Sequence, residues 1–132
     1  MKYSFSISML ILALSIAVVA GCKKDEADKN DLIGTYTRVM EFETGSSAVD
    51  LQFTDDGRML WTLIGEVSGH SSTQAKYSME NDAQFKIYDD ADCEFEDGLF
   101  SFITNGNMLT IEVVTDVCAP RVNALSGEWT RK

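Results

Sequence analysis

The sequence is poor in proline, histidine and basic residues. Its one proline is Pro120, its one histidine is His70, and 11 basic residues stand against 21 acidic ones, a net charge of −10. Nucleic acids and anionic lipid surfaces attract basic patches, so this charge excludes nucleic acid as an expected partner. One histidine and three cysteines are too few for a Cys/His metal cluster, and we expect no metal and no other cofactor.

Long apolar runs are also missing, except at the N-terminus. Residues 5–20 form an uncharged stretch of 16 residues after Lys2, whereas a bilayer-spanning helix needs about 20. A positive start, a short apolar core and the small residues Ala20 and Gly21 are typical of a cleaved export signal.

The end of this stretch, Val18-Val19-Ala20-Gly21-Cys22, resembles the bacterial lipobox, whose cysteine receives a diacylglycerol and becomes the new N-terminus. The resemblance implies a lipoprotein signal peptide over residues 1–21 and lipidation, including palmitate, of Cys22. The alternative is an ordinary secretory signal with a chance cysteine. Several acyl chains on one residue hold a protein durably at a membrane. We therefore expect a protein anchored by its N-terminal lipid to the outer membrane, at the periplasmic face or the cell surface.

Residues 22–30 are expected to be a lipidated polar tether. All of residues 23–30 are charged or polar except Ala27, and such a segment cannot form a core. The run of residues 22–26 resembles the export tag that carries some lipoproteins of Gram-negative bacteria to the cell surface. Residues 31–132 remain for one folded domain with a usable core, expected as a monomer.

Two cysteines, Cys93 and Cys118, remain besides Cys22. An even pair in an exported domain most often forms a disulfide, which would contribute about 3 kcal/mol by restricting the unfolded chain. The alternative, a metal site, would need more Cys or His at short spacing. The sequence therefore favours a Cys93–Cys118 disulfide.

From Asp31 onward, short apolar runs alternate with turn signals such as Asp55-Asp56-Gly57 and Asn105-Gly106, a pattern typical of β proteins. Gly98 is expected to bulge or split the sixth strand, and residues 115–126 to be irregular or briefly helical. Antiparallel strands in sequence bury their edges most simply in an up-and-down β-barrel, and a β-sandwich is the alternative. The pattern predicts about eight strands: 34–42, 48–54, 58–64, 74–79, 84–89, 93–104, 108–114 and 127–131.

The first and last strands begin alike, with GTYTR at 34–38 and GEWTR at 127–131. In a closed meander these strands are neighbours. The aromatic residues Tyr36 and Trp129 are then expected to pack at one end of the barrel, with Arg38 and Arg131 available to lie over aromatic faces.

Three segments together, LIGTY at 32–36, LQFTDDG at 51–57 and LSGEWTR at 125–131, resemble the lipocalin-like domains of bacterial outer-membrane lipoproteins. That family usually has tryptophan where this chain has Tyr36. The resemblance covers residues 31–132 and implies an eight-stranded barrel that binds an apolar ligand or a protein partner.

Strand alternation directs six aromatic side chains inward. An eight-stranded barrel is just wide enough to be filled by side chains or to hold one small ligand. Two functions therefore stay open: a barrel that binds a small apolar ligand, and a protein- or glycan-interaction module with a packed interior. The six candidate ligand-binding residues are Phe53, Trp61, Tyr77, Phe85, Phe100 and Phe102.

No residue pattern indicates catalysis, and we expect no enzymatic activity. His70 adjoins Ser71 and Ser72 in a small-residue loop, where adjacent residues give no nucleophile–base geometry. A cluster of acidic residues recurs at every second position around Cys93 and Phe95, which predicts a strand with an acidic solvent face rather than a calcium loop. Its members are Asp89, Asp90, Asp92, Glu94, Glu96 and Asp97.

Overall fold

The structure is a computed structural model that describes residues 29–132. The expected signal peptide, the lipidated Cys22 and the tether up to residue 28 lie outside the described residues. Eight antiparallel strands follow one another around a closed barrel, with the first strand paired to the last. The predicted up-and-down barrel is confirmed, and the sandwich alternative is wrong. Within residues 29–132, no helix is long and apolar enough to cross a membrane.

Two short helices accompany the strands, α1 (Lys29–Leu32) before β1 and α2 (Ala119–Leu125) before β8. The bounds of β1, β3 and β8 are those predicted from the sequence. The strands are β1 (Gly34–Phe42), β2 (Gly45–Phe53), β3 (Arg58–Ile64), β4 (Thr73–Asn81), β5 (Gln84–Tyr88), β6 (Gly98–Asn105), β7 (Met108–Thr115) and β8 (Gly127–Arg131).

The two ends of the barrel differ in their connections. At one end, here called the turn end, the strands are joined by tight turns at 54–57, 82–83 and 106–107, and α1 enters there. Gly57 and Gly106 supply the positive φ angles of +84° and +58° that two of these turns require. The opposite end, here called the loop end, carries a two-residue turn and three longer connections, at 65–72, 89–97 and 116–126.

The sixth strand is shorter than predicted. The prediction that the acidic residues around Phe95 form the solvent face of this strand is wrong. Residues 89–97 form a loop, and β6 begins only at Gly98. Asp89, the first residue after β5, has a φ of 49°, which aspartate tolerates better than most residues. Phe95, expected on a buried face, is 95% exposed. Gly98 begins β6 at a position that only glycine fits, because a Cβ there would lie 2.3 Å from the Asp116 carboxylate.

The interior of the barrel is filled by side chains. The Phe85 ring lies 5.2 Å from that of Phe53 and 5.7 Å from that of Phe100, while Tyr77 and Phe102 complete the group. Each such fully buried side chain contributes about 1.5–3 kcal/mol. Aliphatic residues from the neighbouring strands surround these rings: Val49, Leu51, Ile87, Leu109 and Ile111.

The two similar pentapeptides lie side by side, in antiparallel order. Tyr36 stands opposite Arg131 in the pairing of β1 with β8, so each aromatic residue adjoins the arginine of the other strand. The Arg38 guanidinium lies 4.1 Å from the centre of the Trp129 ring, and that of Arg131 lies 5.0 Å from the Tyr36 ring. The two aromatic residues thus form separate pairs, one toward each end of the barrel, instead of packing together at one end.

The Arg38–Trp129 pair, here called the α2 clamp, binds the carbonyl oxygens that end α2. Arg38 donates hydrogen bonds to the carbonyl oxygens of Ala124 (2.7 Å) and Ser126 (2.6 Å), and Trp129 Nε1 donates to that of Leu125 (2.9 Å). These carbonyls have no partner within the helix and carry partial negative charge, so a guanidinium stabilises them.

The Arg131–Tyr36 pair, here called the α1 clamp, binds the carbonyl oxygens at the end of α1. Arg131 donates to the carbonyl oxygens of Asp31 (2.7 Å) and Ile33 (3.2 Å) and to the Tyr36 hydroxyl (2.8 Å). That hydroxyl in turn donates to the end of α1, 2.9 Å from the Asp31 oxygen. One pentapeptide pattern therefore holds a helix at both ends of the barrel.

The leading glycine of each pentapeptide leaves room for the arginine. A Cβ on Gly34 would lie 2.9 Å from Nη1 of Arg131, and a Cβ on Gly127 would lie 2.8 Å from Nη1 of Arg38. Both glycines also adopt positive φ angles, +150° and +118°. A side chain at either position would therefore both strain the backbone and displace a guanidinium.

Candidate ligand-binding cleft at the loop end

A cleft of about 540 Å³ opens at the loop end, between the tip of the β1–β2 hairpin, the β3–β4 loop and α2. Met40, Phe42 and Trp61 supply apolar surface, and Glu41 and Asp92 are acidic residues of its wall. The size falls within the range typical of small-molecule sites. The remaining lining residues are Gly69, His70, Ser71, Thr73, Pro120, Asn123 and Ala124.

Strand geometry and the α2 clamp together position the walls of the cleft. Side chains alternate along β1, so Met40 and Phe42 lie on the same face as Tyr36 and Arg38. Arg38 holds the carbonyl of Ala124, which lines the opposite wall from α2. The distance between β1 and α2, and with it the width of the cleft, is therefore fixed from inside the barrel.

Trp61 lies between the cleft and the packed core. It is only 6% exposed, and its Nε1 is buried with no hydrogen-bond partner among the described residues. A smaller cavity of about 50 Å³ adjoins it, lined also by Asp90, Arg121 and Leu125. Because one water takes about 30 Å³, this smaller cavity has room for water but not for an organic ligand. An unpaired buried indole N–H costs about 1–3 kcal/mol.

His70 stands at the rim of the cleft. Its ring lies 4.7 Å from the Phe42 ring at an angle of 53°, and its backbone N–H donates to the carbonyl of Val67 (3.1 Å). Ser71 also lines the cleft, whereas the Ser72 hydroxyl accepts a hydrogen bond from the backbone of Leu63 (3.0 Å). Among residues 29–132, no three His, Cys, Asp or Glu side chains are grouped closely enough to hold a metal ion.

All six aromatic residues predicted to face the interior are buried, but they do not form one pocket. Trp61 lines both cavities just described, whereas the other five, Phe53, Tyr77, Phe85, Phe100 and Phe102, pack on one another in the core. Met40 and Phe42 were not among the residues predicted to bind a ligand. Both lie an even number of residues after Tyr36 on β1, so strand alternation could have predicted that their side chains face the same side as Tyr36.

Beside the cleft, Arg121 of α2 ties the 89–97 loop to the end of β7. Arg121 is 4% exposed and binds both carboxylate oxygens of Asp116, at 2.6 and 2.8 Å. It also pairs with Asp90 at 3.5 Å and donates to the carbonyl of Glu96 at 2.8 Å. Burial opposes the charge of Arg121, but Asp116 and Asp90 outweigh burial and raise its pKa.

The predicted disulfide is confirmed and joins the same two segments. Cys93 in the 89–97 loop is bonded to Cys118 just before α2, with Cα atoms 6.0 Å apart. The Asp116 carboxylate also accepts the backbone N–H of Cys118 at 2.9 Å. The loop therefore has a covalent tie and an ionic tie to the α2 segment. Sequence reasoning had assigned no role to Arg121 or Asp116.

Comparison of the chain with protein-family models, with curated proteins and with solved structures finds no match. The barrel architecture rests on the structure alone. The likeness to lipocalin-like domains rests on the three motifs quoted above.

Proposed function

We propose that this protein is a lipid-anchored outer-membrane lipoprotein whose lipocalin-like barrel binds a small apolar ligand without catalysis. The observation that supports the proposal is the cleft of about 540 Å³ at the loop end, with Met40, Phe42 and Trp61 in its lining. Because the core beneath it is packed, the ligand lies in the mouth of the barrel and not at its centre.

The charges around the cleft restrict the chemistry of the ligand. Glu41 and Asp92 are exposed and line the cleft, and the chain as a whole carries a net charge of −10. An anionic ligand such as a free fatty acid would be repelled at this rim. A neutral or cationic molecule with an apolar body of moderate size fits it better.

The position of the cleft also agrees with an N-terminal anchor. The described chain enters the barrel at the turn end through α1, whereas the cleft opens at the loop end. With a lipid on Cys22, the anchor attaches through the end opposite the cleft. The proposed site therefore takes its ligand from the aqueous side and not from the bilayer that holds the anchor.

Titration with N-phenyl-1-naphthylamine, a neutral apolar dye, tests the cleft. We expect saturable binding, and Ser71→Phe should weaken it about tenfold because the ring fills the cleft from an exposed position. Ser68→Phe is the matched control, since Ser68 lies in the same loop but outside the cleft lining. Equal binding by both variants, or no saturable binding by the parent protein, would contradict the proposal.

Native mass spectrometry of the mature protein purified from cells tests the anchor in the same preparation. We expect acyl mass on Cys22 and a co-purifying neutral or cationic ligand that is retained by Ser68→Phe and lost from Ser71→Phe. A mature chain that begins elsewhere or carries no acyl group would refute the lipid anchor.

A further inference from the structure

An exposed apolar patch lies beside the disulfide, at the outer side of the loop end. Phe95 is 95% exposed and Val117 is 72% exposed. Both line one shallow groove of about 340 Å³, together with Cys93 and Cys118. A single exposed apolar residue is common on protein surfaces and needs no special role. This patch differs because the backbone that carries Phe95 is held on both sides.

The disulfide and the Arg121 hydrogen bond that hold the 89–97 loop lie on either side of Phe95. Cys93, two residues before it, is bonded to Cys118, and the carbonyl of Glu96, the next residue, accepts a hydrogen bond from Arg121 at 2.8 Å. Glu96 N–H also donates to the carbonyl of Cys93 at 3.4 Å. A phenylalanine presented on a fixed backbone loses little conformational freedom when it enters a pocket, which is the property of an interface anchor.

The charges around Phe95 identify the kind of partner. Asp89 pairs with Lys76 at 2.7 Å, Asp97 lies 4.0 Å from Lys86, and Asp90 is buried against Arg121. The carboxylates of Asp92, Glu94 and Glu96 are also exposed, and among the described residues they form no ion pair. An anionic membrane surface or a second copy of this acidic chain would be repelled there, whereas a basic surface would be attracted.

We infer that the 89–97 loop is a docking surface for a partner protein that offers an apolar pocket rimmed by lysine or arginine. Phe95 enters the pocket, Val117 covers its edge, and the three carboxylates face the basic rim. This surface shares Asp92 with the ligand cleft but is otherwise separate from it, because Phe95 and Val117 are not among the residues that line the cleft.

Photo-crosslinking of the full chain in its native cells tests this surface. A benzoyl-phenylalanine in place of Phe95 should give one discrete crosslinked protein, and a second probe in place of Val117 should give the same product. A probe in place of Ile103, which is 68% exposed on β6, is the control and should give none. The attached peptide should contain apolar residues flanked by lysine or arginine.

Charge reversal separates specific docking from simple exposure. With the probe at position 95, Glu94→Lys together with Glu96→Lys should reduce the crosslink at least about tenfold. Glu112→Lys with Glu128→Lys makes the same change in net charge at exposed positions on β7 and β8 and should leave it unchanged. Both pairs should alter the melting temperature by no more than about 2 °C, since all four side chains are exposed.

Several outcomes would overturn this inference. They are the absence of a product from position 95, an equal product from position 103, and a crosslink to lipid, to a second copy or to a segment without basic residues. Retention of the product after reversal of Glu94 and Glu96 would also overturn it. The cleft variant Ser71→Phe should keep the crosslink, so a failure here is distinguishable from a failure of ligand binding.

Discussion

The two ends of the barrel are held by different means. At the turn end, three tight turns join the strands, and the hydroxyls of Tyr36 and Tyr77 and the guanidinium of Arg131 donate to nearby carbonyls. At the loop end, three long connections cross the mouth, and side chains distant in sequence hold them, Arg121 above all. Short connections therefore close one end, whereas long connections held by the buried Arg121 and the Cys93–Cys118 disulfide shape the end where both proposed binding surfaces lie.

The largest expected effect comes from Arg121→Ala at the loop end. This change leaves Asp116 and Asp90 buried without their cation and should lower the free energy of unfolding by about 3–5 kcal/mol. Arg58→Ala at the turn end is the control, because Arg58 pairs with Asp56 in an exposed ion pair that solvent screens, so its loss should change stability little. Urea unfolding of the two variants measures the contrast, and equal losses would show that the ends do not differ.

The glycines of the two clamps give a smaller effect that compares the ends directly. Gly34→Ala and Gly127→Ala should each cost about 1–3 kcal/mol, because a Cβ strains a positive-φ backbone and displaces a guanidinium. Gly45→Ala isolates the backbone contribution, since Gly45 has a φ of +134° but nothing within 4 Å of its Cβ position. If all three variants unfold alike, the clamps add nothing beyond local strain.

The smallest effect concerns alkaline pH and belongs to the turn end. Burial is the main cause that raises the pKa of Tyr36 and of Tyr77. In the unfolded chain both ionise near pH 10, so above that pH the unfolded state binds fewer protons than the folded state. The free energy of unfolding should therefore fall as pH rises beyond 10.

Phenylalanine at both tyrosine positions removes the ionising groups and sharpens this test. The Tyr36→Phe, Tyr77→Phe variant should start less stable at pH 8, by about 1 kcal/mol for each lost hydrogen bond, and then show a flatter dependence on pH. Urea titrations at a series of pH values report both quantities. A slope as steep as that of the parent protein would assign the alkaline loss to other groups.

Local signals in the sequence were sufficient for most of the barrel. Asp56-Gly57 and Asn105-Gly106 place two hairpins, and the similarity of residues 34–38 to residues 127–131 indicated that the first and last strands are neighbours. Such signals are reliable because turn geometry and strand alternation depend on adjacent residues. They locate the strands and the inward direction of the aromatic side chains.

The loop end was harder to predict because its shape depends on contacts between distant residues. The acidic residues around Phe95 have the spacing of a strand, yet Arg121 and the Cys93–Cys118 bond hold them in a loop. For the same reason the sequence located Trp61 but placed the candidate pocket in the core. Only the position of α2, set by Arg38, shows that the open space lies above that core.

The pairing of β1 with β8 also sets the order in which the fold can be completed. Trp129 and Arg131 belong to β8, so neither helix clamp can form before β8 is in place. Until then β1 and β7 both present an unpaired edge. For a chain that we propose to be exported, the barrel therefore cannot close before β8 is available to pair with both β1 and β7.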